Sequence, residues 1–352
     1  MQEVVRTNPT LIVTVDTEEE GLWGGAWRSH DNPVRNVRGL PAFQGLCDRL
    51  GVRPTYLVDT PVADDIGSVK ILKELQSTGC CEIGAHLHPW CAPPFREELT
   101  RHNSYMCNLP ARLQREKLVR LTELLEYRFD KRPTSFRAGR YGLDIVGARI
   151  LKELGYLVDS SVVSFMDYSD ENGPDFRSFP YKPYRIGNRH LRIAESRGTM
   201  MELPVSVGFG RGGFRWRHRI REFARSRALR CFHLVGILDR LNLVRRINFN
   251  PEKSDAVRMK QLVDAYVAHG APCMVMSLHS SSLLPGFSPY VPEKTALDAL
   301  YANLEDTIDY CSRQYSMVSE TLTECAERLM GRVSEQTLRG SGQSTQPIRE
   351  CR

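Results

Sequence analysis

The sequence predicts an α/β protein whose parallel sheet closes into a barrel. Short apolar runs alternate with longer segments in which apolar residues recur at helical spacing. About six to eight such strand–helix repeats follow one another, and this number favours closure of the sheet. Polar clusters directly follow several of the apolar runs. Parallel α/β folds collect their functional residues at the carboxyl ends of strands, so we expect a site at that end.

The elements follow from these patterns. The first strand covers 11–15, where every residue after Leu11 is β-branched. In the first half of the chain, the patterns predict strands over 55–58, 82–85, 134–137 and 156–158, and helices over 41–50, 69–75, 113–129 and 145–154. In the second half, they predict strands over 200–205, 274–278 and 315–318, helices over 256–268 and 296–310, and a last helix ending at Met330.

The length and composition are those of a globular protein with a sizeable core. The 352 residues are 41% hydrophobic and 26% charged. We predict one domain over 1–330 with an insert at about 207–252, followed by a polar, disordered tail over 331–352. The chain contains neither an uninterrupted run of about 18 apolar residues nor a signal-peptide pattern. We therefore expect a cytoplasmic protein.

Basic residues are concentrated in the insert. The segment from Arg211 to Arg246 holds eleven arginines and two acidic residues, a net charge of +9, whereas the whole chain carries +6. Aromatic residues lie among these arginines, a mixture found in surfaces that bind nucleic acids, anionic membranes or phosphate-bearing substrates. The alternative is a helical hairpin whose arginines are simply solvated. Because the rest of the chain is mildly acidic, we expect no nucleic acid. We favour contact with an anionic membrane surface or with a sugar-diphosphate lipid, which would make the protein peripheral to the inner membrane.

Asp16 and Glu18 stand two residues apart after the first apolar run. Side chains at i and i+2 of an extended chain point to the same face, so both carboxylates can reach one point. A solvated acidic turn is the alternative. Against it, Asp16 still belongs to a predicted buried strand, where an unpaired carboxylate costs several kcal/mol.

His86 and His88 have the same spacing at the end of another predicted strand. Two imidazoles on one face can share a metal ion, whereas a lone histidine is more often structural. Together with one carboxylate, they would leave coordination positions open for water and substrate, as a hydrolytic metal requires.

Three further clusters complete the candidate site. Arg137 could keep a carboxylate ionised, and the glycines that flank Arg140 and Tyr141 allow a turn that directs a backbone N–H at an oxyanion. A structural ion pair is the alternative for Arg137. Asp159 could accept a hydrogen bond from His279, which would raise the pKa of the imidazole and make it a general acid.

These clusters, in this order, resemble the polysaccharide deacetylases of the NodB-homology type, carbohydrate esterase family four. The resemblance runs from Thr14 to His279 and implies a distorted (β/α)7 barrel. It assigns the general base to Asp16 and a metal-binding role to Glu18, although these two roles could exchange. The family usually has adjacent carboxylates and histidines four apart. Here Trp90 stands four residues after His86, so His88 becomes the second histidine ligand or the metal site is altered.

The resemblance also assigns the remaining roles. Arg137 orients the base, Tyr141 lends a main-chain oxyanion donor, Asp159 is the fourth motif, and Leu278 with His279 supplies an acyl-methyl pocket and the acid. We expect further substrate contacts from the aromatic residues Trp90 and Tyr105. The implied cofactor is Zn²⁺ or another divalent metal.

The expected function is metal-dependent N-deacetylation of a sugar in cell-surface polysaccharide biosynthesis, with a lipid- or nucleotide-linked substrate. Two alternatives stay open: a non-sugar amidohydrolase on the same fold, and a catalytically inactive glycan-binding relative.

Overall fold

The computed structural model describes residues 8–25, 27–196, 198–226, 234–241 and 243–331. Its strands are β1 (Thr10–Thr17), β2 (Thr55–Val58), β3 (Glu82–Leu87), β4 (Ser135–Ala138), β5 (Val158–Asp159), β6 (Tyr184–Arg185), β7 (Met201–Glu202), β8 (Val207–Phe209), β9 (Arg246–Asn248) and β10 (Cys273–His279). Its helices are α1 (Leu40–Arg49), α2 (Thr60–Asp64), α3 (Ile66–Ser77), α4 (Ala111–Phe129), α5 (Ile145–Glu153), α6 (Phe214–Ala224), α7 (Leu234–Arg240), α8 (Ala256–Ala268), α9 (Lys294–Tyr315) and α10 (Leu322–Met330). The predicted tail beyond Gly331 lies outside the described residues.

The main sheet has eight strands in the order β10-β1-β2-β3-β4-β5-β7-β6. Seven of them run parallel, and β6 pairs antiparallel with β7 at the edge. Beyond β7, the backbone N–H of Ser206 donates to the Val275 carbonyl of β10 over 3.0 Å. This hydrogen bond joins the chain that follows β7 to β10, the strand at the opposite edge of the curled sheet. The predicted α/β class and distorted barrel are therefore confirmed.

β1 lies near the middle of the packed core. All eight of its residues are buried, which explains why this strand appears in the sequence as a continuous apolar run instead of an alternating one. Helices on the outer side begin at acidic side chains that cap them. Asp144 accepts from the Gly147 N–H at the start of α5, and Asp255 accepts from the Arg258 N–H at the start of α8.

Three predicted strands differ from the structure. The segment 315–318 does not form a strand of the main sheet. The Leu11 N–H of β1 donates to the Val318 carbonyl over 2.9 Å, and the next residue, Ser319, forms a single bridge with Leu11. The strands predicted over 200–205 and 156–158 shrink to the two-residue strands β7 and β5. β8 and β9 were not predicted because each has only three residues. They pair antiparallel with each other in a separate two-stranded sheet.

β8 and β9 bracket the described part of the basic insert, which contains α6 and α7. Phe214 at the start of α6 is buried against Tyr266 and His269 of the α8 end, with ring centroids 5.4 and 4.9 Å apart. In the ranges that the structure describes, no helix is long and apolar enough to cross a lipid bilayer.

Candidate active site

The carboxyl ends of the parallel strands bring the predicted polar clusters together. In the strand register, Asp16 lies beside His279, and His86 lies beside Arg137. A cavity of about 340 Å³ opens there. The predicted residues that line it are Asp16, Glu18, His86, His88, Trp90, Tyr141 and His279. Leu22, Trp23, Gly25, Trp27, Arg101, Ala138, Arg140 and Glu171 complete the lining.

Glu18, His86 and His88 present three ligand atoms to one point. The two Nε2 atoms are 3.1 Å apart, and Glu18 Oε2 lies 3.3 Å from His86 Nε2 and 3.4 Å from His88 Nε2. Tetrahedral zinc with ligands at roughly 2.0–2.1 Å places its ligand atoms about 3.3–3.4 Å from one another. The predicted set, with histidines two residues apart, therefore has a spacing that fits a divalent metal.

The charges of the three side chains support this fit. Burial raises the pKa of Glu18 well above its usual range, and the neighbouring Asp16, Glu19 and Asp59 raise it further. A divalent cation at the carboxylate would offset this repulsion. Burial also lowers the pKa of the His88 imidazole well below its usual range. His88 is therefore neutral, the form that binds metals.

Glu19 and Trp90 orient His88 from behind. Glu19 Oε2 lies 2.8 Å from His88 Nδ1, and the Trp90 Nε1–H donates to Glu19 Oε1 over 2.6 Å. The Trp90 ring also stacks on the His88 ring with centroids 4.3 Å apart. A carboxylate bonded to the far nitrogen of a histidine ligand fixes its tautomer and orientation. The sequence patterns did not single out Glu19 because it looked like one member of an acidic run.

Arg137 holds Asp16 in its ionised form. The guanidinium is fully buried, and its Nη1 donates to Asp16 Oδ1 over 2.6 Å and to Thr14 Oγ1 over 2.9 Å. Its Nε and Nη2 donate to the Ser160 carbonyl and hydroxyl over 2.8 and 2.9 Å. Burial alone would raise the pKa of Asp16, but Arg137 and the nearby imidazoles outweigh it and lower this pKa to about 2.

The carboxylate that orients His279 is Glu252, which the sequence analysis did not identify. His279 Nδ1 lies 2.8 Å from Glu252 Oε2, and the His279 backbone N–H donates to Oε1 over 3.0 Å. The predicted pairing of His279 with Asp159 is therefore wrong. Burial lowers the pKa of His279, but Glu252 and Glu18 outweigh it and raise this pKa to about 9. The opposite ring nitrogen, Nε2, faces Asp16 Oδ2 at 4.0 Å.

Asp159 supports the strand end instead. Its Oδ1 accepts from the Ser161 hydroxyl over 2.6 Å, and that same hydroxyl oxygen accepts from the Ala138 N–H over 2.8 Å. Glu202, its register neighbour on β7, is fully buried beside it and accepts from the Val162 N–H over 3.1 Å. Burial and the charge of Asp159 raise the pKa of Glu202 well above its usual range. Asp159 therefore positions the loop that carries Ser160, the partner of Arg137.

The turn after β4 brings the backbone into close contact with the His88 ring. Arg140 and Tyr141 have left-handed φ values of 52° and 61°, whereas the glycines at 139 and 142 do not. The reason for glycine at 139 is steric: a Cβ there would lie 2.0 Å from His88 Cδ2 and 2.7 Å from the Leu87 carbonyl oxygen. The predicted tight turn is present, but two non-glycine residues adopt its left-handed conformation.

The predicted substrate contacts fall into two groups. Trp90 lines the cavity as part of an aromatic wall and stacks with Trp27, at 5.3 Å between ring centroids. Leu278 is fully buried and does not line the cavity, so the structure does not show the predicted direct contact of this side chain with a substrate. Tyr105 also lies outside the lining, where its ring packs against the Arg140 guanidinium at 4.2 Å. Tyr105 therefore supports the cavity wall through its contact with Arg140, which lines the cavity.

Solved structures share this architecture. A protein from Mycobacterium smegmatis assigned as a polysaccharide deacetylase is 15% identical, with a TM-score of 0.54, over 99% of this chain and 97% of that one. A protein from Parabacteroides distasonis assigned as a glycoside hydrolase/deacetylase is 12% identical, with a TM-score of 0.58, over 94% of this chain and 74% of that one. No protein-family model matches the chain, and no curated protein matches its sequence. The motifs and these neighbours together show that the chain has the polysaccharide deacetylase fold of the NodB-homology type.

Proposed function

We propose that the protein is a metal-dependent N-deacetylase that hydrolyses the N-acetyl amide of a sugar during cell-surface polysaccharide biosynthesis. The observation that carries this proposal is the Glu18–His86–His88 triangle, flanked by an ionised Asp16 and an imidazole with a raised pKa. A divalent metal such as Zn²⁺, held by these three side chains, would polarise the acyl carbonyl and lower the pKa of a water molecule.

The protein's own groups would move the protons. Asp16 is held in its ionised form by Arg137 and is the proton acceptor for the attacking water. The oxyanion donor in this proposal is the backbone N–H of Tyr141, which lines the cavity and lies in the left-handed turn after β4. His279 carries a proton near neutral pH, because its pKa is about 9, and donates it to the departing amine. The products are then a carboxylate and the free amino sugar.

The walls of the cavity favour a sugar. Trp23, Trp27 and Trp90 line it, and aromatic faces provide flat apolar surfaces on which sugar rings stack. Arg101 and Arg140 lie in the same lining. These cations would suit a sugar that carries a diphosphate linkage to a lipid or a nucleotide, which is the substrate form we propose.

Acetate release from a panel of N-acetylated nucleotide-linked and lipid-linked sugars tests this proposal. We expect Asp16→Asn and His279→Ala to lower kcat by about 100-fold or more, as removal of a general base or acid does. Asp298→Asn in α9 and His190→Ala, both exposed, serve as matched controls and should keep full activity. Full activity in the two site variants would refute the mechanism. Hydrolysis of non-sugar amides alone would refute the sugar substrate.

A further inference from the structure

The hairpin formed by α6 and α7 has an unusual surface. Of the thirteen large apolar side chains exposed in the described residues, five belong to this short segment: Trp216, Phe223, Ile237, Leu241 and Leu243. Trp216 is 63% exposed and Phe223 is 70% exposed. Soluble surfaces rarely concentrate large apolar groups in this way unless they meet a partner.

The apolar side chains of α6 lie along one stripe. Trp216, the partly exposed Ile220 and Phe223 are spaced by four and three residues, so they share one side of the helix. The opposite side is anchored to the barrel by the buried Phe214 and His218. The exposed stripe is therefore not needed for packing of the helix within this chain.

Arginines accompany this stripe, and several have no carboxylate partner among the described residues. Arg221 pairs with Asp239 at 2.7 Å, and Glu222 lies within 3.6–3.7 Å of Arg225 and Arg177. Those pairs use both acidic residues of the segment. Within the described ranges, no carboxylate lies at ion-pair distance from the arginines at 211, 215, 219, 240 and 245. The hairpin therefore presents uncompensated positive charge beside exposed aromatic rings.

Two of these arginines also line a groove. Arg215 and Arg219, one helical turn apart, border a cavity of about 270 Å³ together with Arg177, Phe165 and Phe179. Guanidinium groups on the wall of a groove with apolar residues beside them suit a phosphate group whose attached chain is apolar.

We propose that the α6–α7 hairpin docks the protein on an anionic lipid surface. Arg215 and Arg219 contact headgroup phosphates, and Trp216 and Phe223 enter the interfacial region. Amphipathic helices that bind membranes combine this arginine content with aromatic groups on the exposed side. Exposed apolar side chains favour a lipid surface over a nucleic acid. A second copy of the chain is a poorer partner, because a symmetric contact would bring equal positive charges together.

Flotation of the full-length protein with vesicles tests the proposal. The probes are phosphatidylcholine vesicles with and without phosphatidylglycerol. We expect binding to the anionic vesicles, weakened strongly between about 0.1 and 1 M salt as the Debye length falls from about 10 to 3 Å. Arg215→Gln with Arg219→Gln should weaken binding by about 30-fold, since each arginine near an anionic surface contributes several-fold to affinity. Trp216→Ala with Phe223→Ala should weaken it by about tenfold or more.

The control variants remove arginines and large apolar side chains from exposed positions outside the hairpin. Arg112→Gln with Arg313→Gln removes two charges from arginine side chains that are 84% and 81% exposed. Ile66→Ala with Tyr127→Ala removes two apolar groups that are 78% and 76% exposed. Both controls should bind like the unmodified chain, and far-ultraviolet circular dichroism checks that every variant is folded.

Four results would overturn the proposal. The first two are equal binding of the protein to neutral and anionic vesicles, and control variants that lose as much vesicle binding as the hairpin variants. The third is a protein that binds DNA or RNA but no vesicles. The fourth is a protein that binds no vesicles but forms a dimer, which Trp216→Ala with Phe223→Ala abolishes.

Discussion

Glu252 Oε2 accepts a hydrogen bond from His279 Nδ1 over 2.8 Å, although 27 residues separate the two in the chain. The Phe249 carbonyl accepts from the Ser277 N–H over 3.2 Å, so the chain leaving β9 runs alongside β10 and delivers Glu252 to the histidine. The pKa of Glu252 is lowered, because attraction by the imidazolium outweighs burial, which would raise it. The pair is therefore an ionic one, and it sets the protonation of His279.

Glu252→Gln should lower the pKa of His279 from about 9 towards its ordinary value of 6.5, because burial is then opposed only by the charges of Glu18 and Asp16. The folded-state pKa lies above the unfolded one, so the pair stabilises the fold fully below about pH 6.5 and this contribution is lost as the pH rises through 9. NMR titration of the histidine ring measures the pKa directly. A value that stays near 9 in the variant would show that Glu252 is not the cause.

The sequence predicted that four of the polar residues meet in one site, and it did so for a physical reason. Asp16, Glu18, His86 and His88 each lie at the end of an apolar run, and the carboxyl ends of parallel strands converge. Glu252 gave no such signal. It follows the short strand β9 at the end of the insert, and only the packing of 249–252 against β10 places it in the site.

Asp159 illustrates the opposite case. Its position at a strand end was predicted correctly. The sequence could not show whether its carboxylate points to the cavity or to the neighbouring strands and loops. In the structure it bonds Ser161 and lies beside Glu202. The roles of Leu278 and Tyr105 were missed for the same reason, since burial depends on neighbouring elements that spacing does not reveal.

Asp159→Asn therefore separates the two roles. The substitution weakens the hydrogen bonds to Ser161, and we expect it to destabilise the fold by about 1–3 kcal/mol. Since Asp159 does not contact His279, the pKa of His279 should stay near 9. Urea denaturation and the same NMR titration measure both. A large fall in this pKa would mean that Asp159 does pair with His279, contrary to the structure.

Arg137→Met should destabilise the protein by about 3–5 kcal/mol, because it leaves the Asp16 carboxylate buried without its partner. The pKa of Asp16 is about 2 in the intact pair, below its ordinary 3.8. The stabilisation by the pair is therefore present above about pH 4 and lost as the pH falls through 2. Urea denaturation should show that the difference in unfolding free energy between the unmodified protein and Arg137→Met becomes smaller as the pH falls from about 4 to about 2.

The double variant Asp16→Asn with Arg137→Met provides the control for that measurement. Removing the carboxylate charge should recover part of the lost stability. The double variant should therefore lose less unfolding free energy than the sum of the losses in the two single variants. Additive losses would mean that the two side chains are not coupled.

Gly139→Ala should weaken metal binding by about 10–100-fold, because its Cβ would displace the His88 ring that it meets at 2.0 Å. The control is Gly45→Ala in α1, where a Cβ meets no atom within 4 Å. Competition with a fluorescent zinc chelator measures the affinity of both variants. Equal affinity in Gly139→Ala and the control would show that the close approach of Gly139 to His88 has no role in metal binding.

The metal content of the purified protein tests the central claim most directly. After incubation with Zn²⁺ and removal of free ions, inductively coupled plasma mass spectrometry should find about one zinc ion per chain, because three ligand atoms converge on one point. Glu18→Ala, His86→Ala and His88→Ala should each lose most of this ion, whereas the exposed-histidine variant His190→Ala should retain it. No retained zinc in the unmodified protein, or the same amount in all four variants, would contradict the account.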